Sequence, residues 1–200
     1  MVLGYEEPFY HLAANFAISE IVAKHGLKVV FNGLGGDELF AGYGLYARRL
    51  SLERFKRIYW LMGVIPKGVH RKLDKFIKLT QSRESADFFT QSYMKFSDEE
   101  LYSLFNFSGY ASDELKRLYL KPGKEFSDDM ELFSYLDIKH YIGNHHLHRV
   151  DQFTMANSIE GRFPFLDHNL VEIAARIPTK HKIQNGVQKK VLRDVAVKYI

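Results

Sequence analysis

Residues 28–43 constrain the fold more than any other part of the chain, because a short apolar run there leads directly into a group of glycines. The side chains of Val29, Val30 and Phe31 favour a buried strand with no polar face, of the kind found at the centre of a parallel sheet. Glycines after a strand allow a sharp turn and let a ligand approach the main chain closely. The pattern predicts a strand, a tight turn and the start of a helix.

Two acidic residues, Asp37 and Glu38, fall in the first turn of that predicted helix. Carboxylates in this position gain about 0.3–1 kcal/mol from the helix dipole. The same position also suits a ligand for magnesium. Taken alone, the segment leaves a purely structural interpretation open, in which the acidic pair caps the helix and the glycines only turn the chain.

Three segments, in order along the chain, resemble the signatures of one family. Residues 32–43 read N-G-L-G-G-D-E-L-F-A-G-Y, residues 149–167 read R-V-D-Q-F-T-M-A-N-S-I-E-G-R-F-P-F-L-D, and residues 189–193 read K-K-V-L-R. They are similar to the G-x-G-G-D-E-x-F-x-G-Y, R-x-D-x-x-x-M-A-x-x-x-E-x-R-x-P-F-L-D and K-x-x-L-R segments of the asparagine synthetase family, in its C-terminal synthetase domain. The resemblance covers most of the chain.

This resemblance implies an ATP-dependent, amide-forming ligase of asparagine biosynthesis. Such an enzyme activates a carboxylate, expected here to be aspartate, as an acyl-adenylate that is attacked by ammonia derived from glutamine. The resemblance also implies an α/β fold of the adenine nucleotide α-hydrolase-like (ATP pyrophosphatase) type, ATP and Mg²⁺ as cofactors, and a cytoplasmic location. Independently of any family, adenylation builds charge on a transferring phosphorus, so a carboxylate-held metal and a fixed cation are the expected stabilisers.

The resemblance assigns site residues as well. Asp37 is expected to hold magnesium on the pyrophosphate, and Glu38 is expected to support the same acidic end. Lys189 is expected to contact the phosphates. Lys189 and Glu38 are the two residues expected to be catalytic. The residues expected to bind the nucleotide are Asn32, Gly33, Leu34, Gly35, Gly36 and Lys139. Gly33 would lie against the adenylate through its backbone. Without the other motifs, the favoured interpretation of Lys189 is a solvated lysine beside Lys190.

The sequence departs from the family pattern in two ways. Leu34 stands where several aspartate-using members carry a glutamate, and a leucine cannot move a proton, so an amidotransferase acting on another carboxylate stays open. The pyrophosphate loop S-G-G-x-D-S is not found, and the chain contains no cysteine to serve as a glutaminase nucleophile. We expect residues 1–200 to be the C-terminal portion of a synthetase-like domain that needs an upstream segment or a partner chain. One clear core strand in a mostly helical chain supports this, because a lone strand has no partner for its backbone groups.

Two functions of other classes compete with the ligase: a non-catalytic subunit of the same family and, less favoured, a basic nucleic-acid-binding domain. The net charge is +4, and a basic run comprises Arg48, Arg49, Arg54, Lys56 and Arg57. Apolar and basic residues alternate there at helical spacing, which favours a solvated helix face. The sequence does not begin with a charged stretch followed by an apolar one, as a signal peptide does, and it contains no apolar run of membrane-spanning length. We therefore expect no membrane association.

Several other patterns have structural interpretations. Asp167 is expected to cap a helix, Asp128 and its acidic neighbours to begin another, and residues 97–100 to form a capping box. Glu160 and Arg162 flank the Phe163–Pro164–Phe165 loop, where a partly buried ion pair would fix the path of the chain, and a role for Glu160 on the substrate side stays open. Four histidines, which would suggest zinc, lie at positions 140, 145, 146 and 148. An incidental cluster is favoured, because neither a nearby cysteine nor an H-E-x-x-H motif accompanies them.

Overall fold

The computed structural model describes residues 12–59, 84–94, 96, 98–106, 109, 111–120 and 125–200, and most of them are helical. The helices are α1 (Leu12–Lys24), α2 (Gly36–Leu39), α3 (Gly44–Tyr59), α4 (Ser85–Tyr93), α5 (Asp98–Phe105), α6 (Ala111–Tyr119), α7 (Asp129–Leu136), α8 (Leu147–Met155), α9 (His168–Arg176), α10 (Thr179–Lys182) and α11 (Lys190–Ala196). A π-helix (Asp137–His146) joins α7 to α8. The strands are β1 (Val29–Phe31) and β2 (Glu160–Arg162), and a short 3-10 helix (Pro164–Leu166) follows β2. This architecture fits the α/β class.

The sheet consists of β1 and β2, which pair in parallel with Val30 opposite Gly161. The predicted strand and its parallel pairing are therefore confirmed. The expectation of one strand is wrong, because the structure contains β2, whose sequence Glu-Gly-Arg includes two residues with low strand propensity, Glu and Gly. The expected burial of this strand is not seen among the described residues, where Phe31 is 77% exposed and β1 pairs with β2 alone, and its central position in a larger sheet stays a prediction.

The main core is an aromatic cluster between α3, α4 and α7. Tyr46, Phe88 and Phe133 are completely buried, and the rings of Phe88 and Phe133 stack with their centroids 5.8 Å apart. Burying one such side chain contributes about 1.5–3 kcal/mol, and a favourable ring pair adds roughly 0.5–1.5 kcal/mol. This cluster fixes α3 and α7 relative to each other.

The four-residue helix α2 lies between this core and a second one. Ala41, just after α2, belongs to the aromatic cluster, whereas Leu39 and Phe40 pack with Ala174 of α9. A helix this short is not stable through its own hydrogen bonds. Packing on both sides therefore holds α2 and the acidic residues that it carries.

The predicted helix caps are confirmed where the structure describes them. The Asp128 side chain accepts hydrogen bonds from the backbone amides of Met130 and Glu131, both at 2.9 Å, and so begins α7. Asp167 caps α9 in the same way. The predicted capping box lies partly outside the described residues, because Ser97 is not among them.

One member of the basic run is buried. Arg49 is 7% exposed, its Nε atom lies 2.7 Å from the Asp129 carboxylate, and its guanidinium lies 4.9 Å from the centroid of the Phe88 ring. The expected solvated face is therefore wrong for Arg49, because an acidic partner and an aromatic ring compensate its desolvation. The side chains of residues 54, 56 and 57 lie outside the described part. No described helix has the length and apolar character needed to cross a membrane.

Asp128→Ala tests the α7 cap. We expect the amides of Met130 and Glu131 to exchange with solvent about five-fold faster, since the loss of a capping side chain costs about 1 kcal/mol. Hydrogen exchange measured by mass spectrometry on the α7 peptides gives the rate, and Glu125→Ala, at an exposed nearby carboxylate, is the control. Equal exchange in both variants would show that the cap contributes nothing.

Candidate functional site

The candidate site lies at the carboxyl ends of the two strands. Parallel strands end at the same edge of a sheet, which is where α/β proteins bind ligands, so the turn after β1 meets the loop after β2. Gly35 has a φ of +100°, and a Cβ atom there would lie 2.6 Å from the Leu166 side chain. The predicted sharp turn is confirmed, and it requires glycine for both its conformation and its packing.

Backbone contacts brace this turn and leave one part of it open. Asn32 accepts a hydrogen bond from the Leu34 amide through its side-chain oxygen at 2.9 Å, and the Gly36 amide donates to the Gly33 carbonyl. Gly33 itself is exposed, and a Cβ atom there would meet nothing within 4 Å. Its main chain is thus accessible to a ligand, whereas Asn32 shapes the turn.

Asp37 and Lys189 form an ion pair at the edge of this turn. The Lys189 ammonium lies 2.8 Å from an Asp37 carboxylate oxygen, and the two side chains are 28% and 39% exposed. The family resemblance assigned both residues to the phosphate end of an expected nucleotide site, but it did not indicate that they touch. Lys189 directly precedes α11, where its backbone has the left-handed φ of 53°.

Gly42 makes this ion pair sterically feasible. A Cβ atom at Gly42 would lie 1.9 Å from the Asp37 carboxylate and 2.2 Å from Cε of Lys189. The Gly42 amide also donates to the Asp37 carbonyl at 2.7 Å, which closes the end of α2. The sequence analysis did not identify Gly42, although it lies in the segment that carries the family resemblance.

Glu38 points into the protein rather than towards the exposed pair. Its side chain is 1% exposed and accepts hydrogen bonds from the Gly35 amide at 3.1 Å and from the Tyr43 hydroxyl at 2.5 Å. Burial, together with the hydrogen bond to Glu38, raises the pKa of Tyr43 well above its usual range, so this hydroxyl stays protonated and can donate. In this arrangement Glu38 braces the turn, and its catalytic assignment stays a prediction.

A second buried carboxylate, Asp137, begins the π-helix beneath α2. It accepts hydrogen bonds from the hydroxyls of Tyr46 at 2.5 Å and Tyr93 at 2.8 Å, and it is completely buried. Burial raises the pKa of Asp137 to about 7, although the two hydroxyls act in the opposite direction. Lys139, two residues further on, is exposed, and its predicted phosphate contact stays a prediction.

The histidines between residues 140 and 148 contact neighbouring aromatic rings and polar side chains. The His140 ring lies 5.2 Å from Tyr119 and 5.5 Å from His145, and the His146 ring lies 4.5 Å from Tyr141, all measured between centroids. Burial lowers the pKa of both His140 and His146. In the described part of the chain, no three histidine or carboxylate side chains converge as metal ligands.

Comparisons with known proteins agree on one family. The family model for asparagine synthase matches residues 1–200. The chain is 32% identical to asparagine synthetase (glutamine-hydrolyzing) 1 of Bacillus subtilis strain 168, over 87% of this chain and 28% of that protein. It is 28% identical to a Mycobacterium tuberculosis H37Rv protein provisionally given the same enzyme name, over 89% of this chain and 28% of that protein. It is also 25% identical to amidase chyE of Penicillium rubens, over 92% of this chain and 30% of that protein.

The matched region is a limited part of those proteins. The chain spans less than a third of the length of each of these three relatives. No solved structure matches the chain significantly.

Gly42→Ala tests the geometry of the ion pair. The added methyl group should separate Asp37 from Lys189, because a Cβ atom there would overlap both side chains in their present positions. We expect Lys189 to be acylated about two- to five-fold faster, the range that corresponds to losing a partly exposed ion pair. Mass spectrometry of the acylated protein measures this rate. Gly44→Ala, where a Cβ atom meets nothing within 4 Å, should leave it unchanged, and equal rates in both variants would contradict the steric role.

Asp137→Asn tests the buried carboxyl group. The pKa of Asp137 is higher in the folded state, so folding takes up a proton between pH 4 and 7 and the wild type loses stability as the pH rises through that window. The loss relative to the Asn variant is at most about 4 kcal/mol, and it levels off above pH 7. Thermal unfolding of both proteins from pH 4.5 to 8 measures this difference. Parallel pH profiles would show that Asp137 titrates normally.

Proposed function

The chain belongs to the asparagine synthase family, and on that premise we propose that it forms the phosphate-binding and magnesium-binding part of an ATP-dependent, amide-forming ligase. In the proposed reaction a carboxylate is joined to the AMP portion of ATP with release of pyrophosphate, and ammonia derived from glutamine then displaces AMP from the acyl group to form the amide. The observation that carries the proposal is the partly exposed Asp37–Lys189 pair beside the open main chain of Gly33. We also propose that the protein that contains this chain has a more complete ATP pyrophosphatase fold, which includes the pyrophosphate loop.

The proposed nucleotide position follows from the accessible surface of the turn. Gly33 offers its main chain to the adenylate, whereas Gly35 and Gly36 are buried against the loop after β2 and shape the turn from behind. Lys189, which pairs with Asp37 at the edge of the turn, contacts the phosphates. In this arrangement the glycines orient the ligand and the lysine compensates its charge.

The residues present fit magnesium. Mg²⁺ in proteins is commonly held by one or two carboxylates together with substrate phosphates, so a single accessible Asp37 is sufficient and a prebuilt cage is not required. Bound magnesium would neutralise negative charge on the departing pyrophosphate. Asp37 is the residue proposed to hold it, and the buried Glu38 supports Asp37 by bracing the turn.

The ion pair itself suggests how the site accepts its ligands. On ligand binding, Asp37 would hold the metal in place of Lys189, and Lys189 would hold a phosphate oxygen in place of Asp37, so both side chains would remain compensated in charge. A partly exposed pair is worth only about 0–1 kcal/mol, so opening it costs little. The pair therefore keeps the two charges in place before the ligand arrives.

The acceptor carboxylate is proposed to be aspartate, with one observation favouring a second candidate. Leu34, which is half-buried in the turn, supplies no proton-transfer group where several aspartate-using members carry a glutamate. An amidotransferase acting on another carboxylate is therefore the second candidate. The relatives include a protein named asparagine synthetase and another named amidase. Glutamine as the ammonia donor and a cytoplasmic location are likewise part of the proposal.

Asp37→Asn tests the metal-binding assignment in the protein that contains this chain. We expect exchange between ATP and labelled pyrophosphate, measured with aspartate and magnesium, to fall about 100-fold or more, since one key electrostatic contact is typically worth that much. Thermal unfolding should be nearly unchanged, because the side chain is partly exposed.

The control is Asp194→Asn, which removes an exposed carboxylate that pairs with Lys190, the neighbour of Lys189. Full exchange in Asp37→Asn would remove Asp37 from the metal role. Wild-type exchange that requires a carboxylate other than aspartate would support the second candidate. No exchange with any carboxylate would favour the non-catalytic subunit.

A further inference from the structure

Gln188, the residue before Lys189, contacts the segment that carries Asp37. Its side-chain amide donates a hydrogen bond to the backbone carbonyl of Tyr43 at 2.6 Å. The Tyr43 hydroxyl in turn donates to Glu38, the neighbour of Asp37, at 2.5 Å. Tyr43 therefore contacts the chain neighbours of both members of the ion pair.

The segment of residues 184–189, which carries Lys189, needs contacts with other parts of the chain to hold its conformation. Residues 184–187 form a tight hairpin turn in which Asn185 and Gly186 have positive φ, and all four residues are exposed. Lys189 follows with a left-handed backbone, which costs a non-glycine residue about 1–2 kcal/mol. An exposed turn and an unfavourable backbone conformation leave this segment in need of an anchor. The half-buried Gln188 provides one through Tyr43.

The Tyr43 end of the connection is rigid. The Tyr43 ring stacks on the fully buried Tyr46 ring at a centroid distance of 6.3 Å, with 12° between the planes. The Glu38 carboxylate holds the Tyr43 hydroxyl and, through its other oxygen, the Gly35 amide. The carbonyl that Gln188 contacts is therefore attached to the same braced unit as the turn.

We propose that Gln188 is a positioning residue that sets the Lys189 ammonium against Asp37 and, in the liganded site, against the nucleotide phosphates. It acts only through Lys189 and touches no reacting atom. Its effect on phosphate contact rests on the proposed function, whereas its effect on the Asp37 pair does not. The two effects can therefore be measured separately.

The first experiment measures the placement of Lys189 without relying on catalysis. Gln188→Ala should raise the acylation rate of Lys189 about two- to five-fold, as expected when a partly exposed ion pair is weakened. Gln188→Met, whose side chain has a similar length but no group that can donate to the carbonyl, should have the same effect if the Ala variant folds poorly. Gln184→Ala, at an exposed residue of the same hairpin, is the matched control, and Lys190 is the internal reference. An unchanged Lys189 rate in both Gln188 variants would overturn the proposal.

The second experiment is a double-mutant cycle on ATP–pyrophosphate exchange. Gln188→Ala should lower the exchange rate at least several-fold in the wild-type background but not in the Lys189→Ala background, because residues that act as one unit have non-additive effects. Equal losses in both backgrounds would overturn the proposal, since they would show that Gln188 acts on the fold. If Lys189→Ala alone leaves exchange unchanged, the phosphate role in the proposed function fails, and the acylation result decides the role of Gln188.

Discussion

The buried carboxylate of Glu38 is the interaction on which the site depends. A charged group without partners inside a protein costs several kcal/mol, so the fold must keep the Gly35 amide and the Tyr43 hydroxyl in contact with it. These contacts fix both the start of α2 and the segment after it. Consecutive residues of a helix point about 100° apart, so an inward Glu38 directs Asp37 towards the exposed edge. The hidden carboxylate thereby determines where the accessible one lies.

Two glycines and a network of hydroxyl groups complete this arrangement. Gly35 lets the loop after β2 approach the turn, and Gly42 leaves space for Lys189 to reach Asp37. Beneath them, Asp137 is compensated by tyrosine hydroxyls, and within the described residues it has no lysine or arginine partner at ion-pair distance. In the proposed function, the cation that this site offers to a phosphate is the partly exposed Lys189. The burial of Arg49 likewise removes one charge from the basic run that suggested nucleic acid.

The sequence by itself determined the features that depend on near neighbours. The apolar run of β1, the glycine turn after it, the caps at Asp128 and Asp167, and the Asn185–Gly186 turn before Lys189 all have the conformations that their residue types favour. Each depends on backbone sterics or on a hydrogen bond across two or three residues, and such effects can be read from short windows. The resemblance to the family could be recognised for a similar reason, because its motifs are themselves short segments.

Only the tertiary structure decided which of these features come together. The strand Glu160–Arg162 forms because β1 supplies its partner, and its ion pair is exposed rather than partly buried, with both side chains more than half accessible. The contact between Asp37 and Lys189 and the inward direction of Glu38 likewise depend on segments far apart in the chain. Burial and distance between such segments follow from how the whole core packs, and no local pattern encodes them. The sequence therefore determined the groups available for chemistry, and packing determined which of them are exposed, paired or hidden.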